Sequence, residues 1–387
     1  MLGRNLAVTE ERGRGMDSET VRRPRAREVG LVLGELPPGP WNAITDVPDV
    51  RVGHVTLVEG EGRLVPGRGP IRTGVTVILP HGDNLFRQKV PGALFVLNGF
   101  GKPTGVAQLD ELGVIETPIA LTSTLSVPRV ADGLLEHAIQ TNPDIGITTS
   151  TVNPLVFECS DAWLNDMQGR HARAEHALEA IRQASSGAVE EGNVGAGTGM
   201  LLFGFKGGIG TASRRLPSEL GGYTIGALVL GNFGRREQLT IAGVPVGRLL
   251  RDWRPTGSGE ERGSVIVVLA TDAPLLDRAL RRLARRGALG LARTGSIAGH
   301  GSGDFVLAFS NAIRIPHEPP EPVLQLPHLV ESGRLIDPLF QAAVEATEEA
   351  VVNALFRAGT MVGRDGHTAH ALPLEETLEL LHRAGRL

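Results

Sequence analysis

The junction between Gly263 and Ser264 is the point in this sequence where a backbone break would create a catalytic group. A polar, glycine-rich run ends there, and an apolar strand over residues 265–272 begins at once. If the bond is cut, Ser264 starts a chain and carries a hydroxyl and a free α-amine on one residue. Because an α-amine has a pKa of about 7.7 to 8.0, part of it is neutral at physiological pH and can act as the serine's own base.

Taken alone, the stretch of residues 251–263 is typical of an ordinary surface loop. It is rich in turn-forming residues and lacks apolar periodicity, and Gly-Ser pairs are common in loops. The junction therefore indicates a processing site only in combination with other features of the chain.

A lone serine is a poor nucleophile, so helper side chains are expected. Ser302 and Asp304 are separated by one residue at the head of the apolar run 305–309, which puts both side chains on one face of a predicted strand. The same triplet is also typical of a turn whose side chains bond the local backbone. The residues alone leave both interpretations open.

Composition limits the classes of function. The 387 residues are 41% hydrophobic, enough for a large buried core in one large or two modest domains. With 39 basic and 43 acidic residues and no basic stripe interleaved with aromatics, nucleic acid is an unsuitable partner and small substrates fit better. Cys159 is the only cysteine, which excludes an internal disulfide and a cysteine-based zinc site, and we expect it to be a small buried filler.

Residues 1–35 are predicted to form a disordered, charged leader. The first 28 residues mix arginines with acids and contain no apolar run, so they fit neither a signal peptide nor a membrane helix. A disordered tail, or a true translation start at Met16, is favoured over a targeting role. No stretch of ~18 apolar residues occurs anywhere, so we expect no membrane partner and a cytoplasmic location.

Glycine is unusually abundant and clustered. The chain has 51 glycines, about twice the usual share of roughly 7%, and they gather next to predicted strands. Such clusters allow close backbone approach and predict loops that converge on a pocket. They are not phosphate loops, because GxxxxGK[ST] is absent and residues 195–199 lack the dinucleotide-binding spacing.

Hydrophobic patterning predicts a layered α/β fold. Apolar runs predict strands at residues 74–79, 93–97, 201–205, 224–229, 264–269 and 305–309. Helical periodicity predicts helices at residues 130–139, 171–184, 274–286, 338–357 and 374–383. Several strands are apolar throughout, as strands covered on both faces are, so sheets flanked by helices are favoured over an open β-sandwich.

Six segments carry a resemblance to a known family. They are residues 39–47 (GPWNAITDV), 195–200 (GAGTGM), 204–213 (GFKGGIGTAS), 232–236 (NFGRR), 263–275 and 292–304. From about residue 36 onward the chain resembles the self-processing serine aminopeptidases typified by the L-aminopeptidase/D-esterase-amidase DmpA and the β-peptidyl aminopeptidases. The resemblance implies one catalytic domain over residues 36–387 with an αββα sandwich fold, similar to the N-terminal-nucleophile hydrolases but connected differently.

The resemblance also implies self-processing. The precursor would be cut between Gly263 and Ser264 into an α-chain of residues 1–263 and a β-chain of residues 264–387. The Ser264 hydroxyl would attack the preceding carbonyl in an N-to-O acyl shift, and water would resolve the ester; later the same oxygen would form an acyl-enzyme with substrate. Neither a metal nor a cofactor is implied.

The resemblance assigns roles to further residues. Ser302 acts as a relay, Asp304 as its orienting carboxylate, and Asn232 as a donor to the oxyanion. Trp163 stands in place of the family's second donor, a tyrosine; an indole N–H donates one hydrogen bond but cannot release a proton as a phenol does. Glu158 receives the substrate's ammonium group. The residues alone leave Asn232 open as a turn former and Glu158 as a solvated acid capping a loop.

The expected activity is release of N-terminal amino acids from short peptides, amides or esters with a free amine, by a homo-oligomer of processed αβ units. The preference between α- and β-peptides is not determined. Two alternatives remain. One is an acyltransferase of the ornithine acetyltransferase type, whose family uses a threonine nucleophile, and the other is an uncleaved binding protein without enzymatic activity.

Overall fold

The computed structural model describes residues 22–250, 253 and 263–387. Of the loop at 251–263, only Trp253 and Gly263 are described, so the prediction made for the rest of that loop lies outside the described residues. Residues 1–21 of the predicted leader lie outside them as well.

The described residues form both strands and α-helices. The strands are β1 (Arg51–Glu59), β2 (Ile71–Leu79), β3 (Gln88–Gly99), β4 (Val114–Ile115), β5 (Ile119–Ser123), β6 (Leu155–Cys159), β7 (Leu201–Leu202), β8 (Phe205–Lys206), β9 (Gly208–Arg215), β10 (Thr224–Asn232), β11 (Ser264–Thr271), β12 (Gly303–Ser310), β13 (Ile315–Pro316), β14 (Met361–Val362) and β15 (Thr368–Ala369). The α-helices are α1 (Val106–Leu112), α2 (Val127–Thr141), α3 (Ala174–Gln183), α4 (Val246–Leu249), α5 (Asp277–Arg293), α6 (Gly333–Arg357) and α7 (Leu374–Arg383). None of these helices is long and apolar enough to span a bilayer.

Two sheets face each other between two layers of helices. One sheet has the strand order β1-β2-β5-β6, and the other has the order β13-β3-β12-β11-β10-β9 with β4 beside β3. Helices α2 and α3 pack on the first sheet, and α5 and α6 pack on the second. The core between the sheets is apolar and includes Leu121, Phe157, Leu228, Ile266 and Leu307. The predicted αββα sandwich is therefore confirmed.

The strands that carry the candidate site residues are covered on both faces. All eight residues of β11 and all eight of β12 are buried, which explains why their sequences are apolar throughout instead of alternating. β11 and β12 pair in parallel, and the helix α5 connects them. Because parallel strands begin at the same end of a sheet, the starts of β11 and β12 lie side by side.

Some predicted elements have other boundaries. The run 201–205 is not one strand, because Phe203 and Gly204 have φ values of 51° and 68° and turn the chain, so that β7 pairs with β8. The apolar run concealed this hairpin because Phe203 is itself buried in the core. Helix α6 begins at Gly333, before Pro338; the sequence placed the proline at the helix start, where proline is favoured. Helix α7 has the predicted boundaries.

Residues 22–35, predicted to belong to a disordered leader, are part of the packed body. Ala26 and Leu31 are fully buried, and the Arg25 guanidinium forms an ion pair with Glu191 at 2.8 Å. The same guanidinium donates to the carbonyl of Thr211 at 2.7 Å. The prediction failed here because an arginine-rich run has the composition of a solvated face, whereas these arginines bond groups contributed by distant parts of the chain.

A short 3₁₀ turn, Gly195–Gly197, lies against the sheet that contains β1 and β2. The N–H of Gly195 donates to Thr56 Oγ1 at 2.8 Å, and a Cβ at Gly195 would lie 2.4 Å from Thr76 Oγ1, so only glycine fits. His54 Nδ1 bonds Thr76 Oγ1 at 2.9 Å beneath the turn, and its Nε2 is shielded with no hydrogen-bond partner among the described residues. Burial lowers the pKa of His54 to about 4.

We expect His54 to make the fold sensitive to acid. Because the unfolded chain has the ordinary histidine pKa of about 6.5, it binds the proton more readily than the folded chain, and stability falls as the pH drops from 6.5 towards 4. This group should contribute about 1–3 kcal/mol to the loss. His54→Gln keeps a polar partner for Thr76 without this titration, so its free energy of unfolding by urea should fall less between pH 7 and pH 4.5 than that of the wild type. Equal losses in the two proteins would contradict the assignment.

Candidate active site

Ser264 lies where the ends of neighbouring strands meet. It is the first residue of β11 and is 5% exposed. On one side it pairs with Asn232, the last residue of β10, and on the other with Gly303, the first residue of β12. The register of the sheet therefore brings together residues that are far apart in the sequence, with Ser302 and Asp304 flanking the strand partner of Ser264.

The Ser264 hydroxyl lies beside the peptide bond that precedes it. Its Oγ donates to the Gly263 carbonyl oxygen at 2.7 Å, and the N–H of Gly303 donates to the same oxygen at 3.3 Å. Gly263 is buried, and a Cβ there would lie 2.5 Å from the carbonyl oxygen of Asn232. A glycine is therefore required before the serine. The carbonyl oxygen of this glycine accepts one hydrogen bond from the Ser264 hydroxyl and one from the Gly303 N–H.

Ser302 and Asp304 contact each other directly. Ser302 Oγ donates to Asp304 Oδ1 at 2.5 Å, and both residues are 1% exposed. The Ser302 hydroxyl thus bonds the Asp304 carboxylate, whereas in the alternative of a Ser-Gly-Asp turn the side chains would bond the local backbone. A hydroxyl held by a buried carboxylate in this way has a fixed orientation, as a proton relay requires.

Asn232 is held by backbone groups at both ends of its amide. Its Oδ1 accepts the N–H of Leu201 at 2.8 Å, and its Nδ2 donates to the Ser160 carbonyl at 2.9 Å. A primary amide has two N–H donors, so a second N–H remains beyond the bond to Ser160. Asn232 ends a strand and is 5% exposed, which differs from the alternative of a turn-forming asparagine.

Glu158 is a buried carboxylate in β6. It is 3% exposed, its Oε1 accepts the N–H of Lys102 at 2.8 Å, and its Oε2 accepts the hydroxyl of Thr124. It is therefore not a solvated acid. Two carboxylate oxygens offer about four acceptor sites, so Glu158 keeps capacity for a further donor such as an ammonium group.

The loop of residues 100–102 contacts both Glu158 and the start of β12. A Cβ at Gly303 would lie 2.8 Å from the Cα of Gly101, so the two backbones are in close contact. A Cβ at Gly101 would in turn lie 3.3 Å from Glu158 Oε1. The carboxylate of Glu158, from one sheet, and the strand partner of Ser264, from the other, are thus separated by the thickness of one glycine.

Trp163 differs from the other candidates because the residue that it contacts is His367. Its ring stacks on His367 with centroids 3.8 Å apart and planes 8° apart, and its carbonyl bonds His367 Nδ1 at 2.8 Å. Its Nε1 is shielded and has no hydrogen-bond partner among the described residues. The structure therefore does not bring the indole N–H into hydrogen-bonding contact with Ser264 or Asn232.

Cys159 is fully buried next to Glu158, as expected for a filler residue. Burial raises the pKa of this thiol well above its usual value, and the nearby charges of Glu158, Asp304 and Asp161 raise it further. The thiol therefore stays protonated and does not compete with Ser264 as a nucleophile.

Sequence reasoning gave two residues, Asn98 and Thr124, no role in holding these groups. Asn98, opposite Asp304 in the sheet, donates through Nδ2 to the Gly299 carbonyl at 3.0 Å and also to the Ser302 carbonyl. Thr124 supplies the hydroxyl on Glu158. An Asn-Gly pair after a strand is an ordinary turn signal, so nothing local distinguishes Asn98. Thr124 lies in a hydroxyl-rich segment, residues 122–126, which was the only available signal.

Comparison with known proteins defines the class to which this fold and site belong. The family model of Peptidase family S58 matches residues 42–369. The beta-peptidyl aminopeptidase BapA of Sphingosinicella microcystinivorans is 42% identical over 377 residues, which cover 94% of this chain and 93% of the relative. The chain therefore belongs to peptidase family S58.

Solved structures agree with this assignment. The PH0078 protein of Pyrococcus horikoshii OT3 is 54% identical with a TM-score of 0.89, covering 94% of this chain and 100% of its own. The L-aminopeptidase D-Ala-esterase/amidase of Ochrobactrum anthropi, a prototype serine aminopeptidase with a variant of the Ntn hydrolase fold, is 39% identical with a TM-score of 0.86 and the same two coverages. The present chain is a hydrolase of that fold and a serine aminopeptidase, as the resemblance predicted.

The contact between Gly101 and Gly303 yields a steric prediction. Gly303→Ala places a methyl group 2.8 Å from a backbone atom that cannot rotate away, so the loop that bonds Glu158 must move. We expect a loss of about 1–3 kcal/mol in stability and at least a tenfold loss in kcat/KM for an aminoacyl anilide. Gly99→Ala is the matched control, since its nearest neighbour, Val96 Cγ1, is 3.7 Å away. If both variants retain wild-type activity, the close contact does not matter for the site.

Proposed function

We propose that this aminopeptidase cuts itself between Gly263 and Ser264 and then releases N-terminal residues from short peptides, amides or esters through an acyl-enzyme on Ser264. The observation that carries the proposal is that Ser264 Oγ lies 2.7 Å from the Gly263 carbonyl oxygen, on a residue whose strand partners are Asn232 and Gly303. The hydroxyl is next to the bond to be cut, and the cut would leave it at a chain start.

Self-processing follows from the atoms at this junction. Ser264 Oγ attacks the Gly263 carbonyl carbon, the C–N bond to Ser264 breaks, and the proton from the hydroxyl ends on the released amine. Water then hydrolyses the resulting ester and leaves Gly263 with a carboxylate. The hydrogen bond from the Gly303 N–H to the Gly263 carbonyl oxygen supports this step, because negative charge develops on that oxygen.

The processed serine then acts on substrate. The α-amine of Ser264 takes the proton from Oγ directly or through Ser302, whose hydroxyl is oriented by Asp304. Oγ attacks the substrate carbonyl, the leaving amine or alcohol takes the proton, and water hydrolyses the acyl-enzyme. The second N–H of Asn232 donates to the oxyanion. Trp163 is the proposed second donor: its indole N–H has no partner among the described residues, and the oxyanion would supply the acceptor that it lacks.

Glu158 recognises the free amine of the substrate. Its carboxylate is buried and oriented by a backbone N–H and a hydroxyl, so an ammonium group would complete its set of donors with a charge-assisted bond. The named activities of the relatives, beta-peptidyl aminopeptidase and L-aminopeptidase D-Ala-esterase/amidase, support small substrates with a free amine. We extend the proposal to a homo-oligomer of processed αβ units.

The cleavage is tested on the purified protein by denaturing electrophoresis, intact mass and N-terminal sequencing. The wild type should give two chains, residues 1–263 and 264–387, and the second should begin Ser-Val-Ile-Val. Ser264→Ala should remain one chain. Ser310→Ala is the matched control, because it removes another buried serine, bonded to the Ala273 carbonyl, and should still be cut. A wild type that stays whole, or cleavage of Ser264→Ala, would refute self-processing and favour a binding protein.

The role of Glu158 is tested with aminoacyl anilides that carry a free or an acetylated amine. Glu158→Gln keeps the shape but removes the charge, so kcat/KM for the free amine should fall about 10- to 100-fold, as expected for one charge-assisted bond. Both proteins should act poorly on the acetylated substrate. Glu116→Gln removes a buried acid that is ion-paired with Lys89 and should keep the discrimination. Equal turnover of free and acetylated substrates by the wild type would remove the assigned role.

A further inference from the structure

Lys206 is a fully buried lysine that the chemistry above does not use. It is 0% exposed, and its Nζ donates to two backbone carbonyls, of Gly207 at 2.6 Å and of Gly197 at 3.0 Å. Among the described residues, no carboxylate lies within ion-pair distance of it. Burying a lysine without an acid beside it costs free energy, so a lysine at this position needs a structural or functional reason.

Lys206 has enough donors to make both bonds in either protonation state. Burial lowers the pKa of Lys206 to about 7, so both forms are populated near neutral pH. The ammonium has three N–H donors and the neutral amine has two, which is enough for two carbonyls. In either form Lys206 acts as a brace, because its two hydrogen bonds join the backbone at residues 197 and 207.

The segment enclosed by this brace includes the β7–β8 hairpin. Leu201 is the cross-strand partner of Lys206, and the N–H of Gly207 donates to the Met200 carbonyl at 2.9 Å. The peptide group that contains the Met200 carbonyl also contains the N–H of Leu201, and this N–H donates to Asn232 Oδ1 at 2.8 Å. The brace thus joins the two ends of the segment that contains the Leu201 N–H, the group that bonds the Asn232 side chain.

The hydrogen bond from the Leu201 N–H determines the orientation of the Asn232 side-chain amide. With Oδ1 occupied by an N–H donor, Nδ2 points to the opposite side, where it donates to the Ser160 carbonyl. If the Leu201 N–H moved away, the amide could rotate and present an oxygen where a donor is needed. Stabilisation of an oxyanion depends on donors being fixed before the charge develops.

We propose that Lys206 is a positioning residue for the oxyanion donor: through Gly197 and Gly207 it holds the hairpin whose Leu201 N–H orients Asn232. The inference rests on the proposed role of Asn232. It assigns to Lys206 an effect on kcat that operates through one other side chain, and this distinguishes it from a lysine that only stabilises the fold.

The test is a double-mutant cycle on kcat per processed chain, with an aminoacyl anilide as substrate. Asn232→Ala should lower kcat about 10²- to 10³-fold, as removal of one oxyanion donor does. Lys206→Met should lower kcat about 10- to 100-fold, with KM changed less than about threefold, since it misplaces the same donor. In the Asn232→Ala background, Lys206→Met should cost less than about threefold more.

A matched control separates positioning from stability. Arg23→Met also removes two hydrogen bonds to backbone carbonyls, those of Phe356 and Leu372, and should lower the midpoint of thermal unfolding without changing kcat. Hydrogen exchange at the Leu201 amide should be faster in Lys206→Met than in the wild type or Arg23→Met. This readout does not depend on turnover.

The outcomes are distinguishable. If the losses from Asn232→Ala and Lys206→Met multiply, or if Leu201 exchange is unchanged, Lys206 does not act through Asn232 and the inference is wrong. If Asn232→Ala itself leaves kcat unchanged, the proposed role of Asn232 fails instead. Should Lys206→Met not fold, Lys206→Gln, which keeps two N–H donors on a side chain one bond shorter, should show the same non-additivity with a smaller loss.

Discussion

The arrangement of the site depends on the register in which β11 pairs with its two neighbours. β10 runs antiparallel to β11 and β12 runs parallel to it, so the end of the first and the start of the last both meet Ser264. A slip of one residue would turn every side chain of β11 to the opposite face. The register is fixed because both faces of β11 are buried, one against the other sheet and one against the helices.

Close backbone contacts bring the sheet that contains β6 to the same place. Glycines at 101 and 303 let the loop after β3 lie directly on β12, and this loop supplies the N–H that orients Glu158. The site thus lies between two sheets that are brought together at this point by close packing. Side chains at these glycines would push the layers apart, which explains why the clusters occur next to strands rather than in linkers.

The polar groups of the site are buried and individually held. Glu158 has two donors, Ser302 is bonded to Asp304, and the amide of Asn232 is bonded at both ends. A buried polar group costs free energy unless it is bonded, so these contacts keep the site in one conformation. Lys206 extends this order to the backbone that supports Asn232.

The sequence by itself determined the layered fold, the buried strands, helix α7 and the family, because apolar runs, helical periodicity and short motifs are local signals. It could not show that Leu201 and Phe205 lie on two strands of a hairpin, that residues 22–35 are packed, or that Trp163 stacks on His367. It also missed Asn98 and Lys206. Asn98 bonds the Ser302 carbonyl across 204 positions, and Lys206 stands in an apolar run that gives no hint of its carbonyl partners. Only the tertiary structure decides such contacts, since they depend on which strands and loops the sheet register brings together.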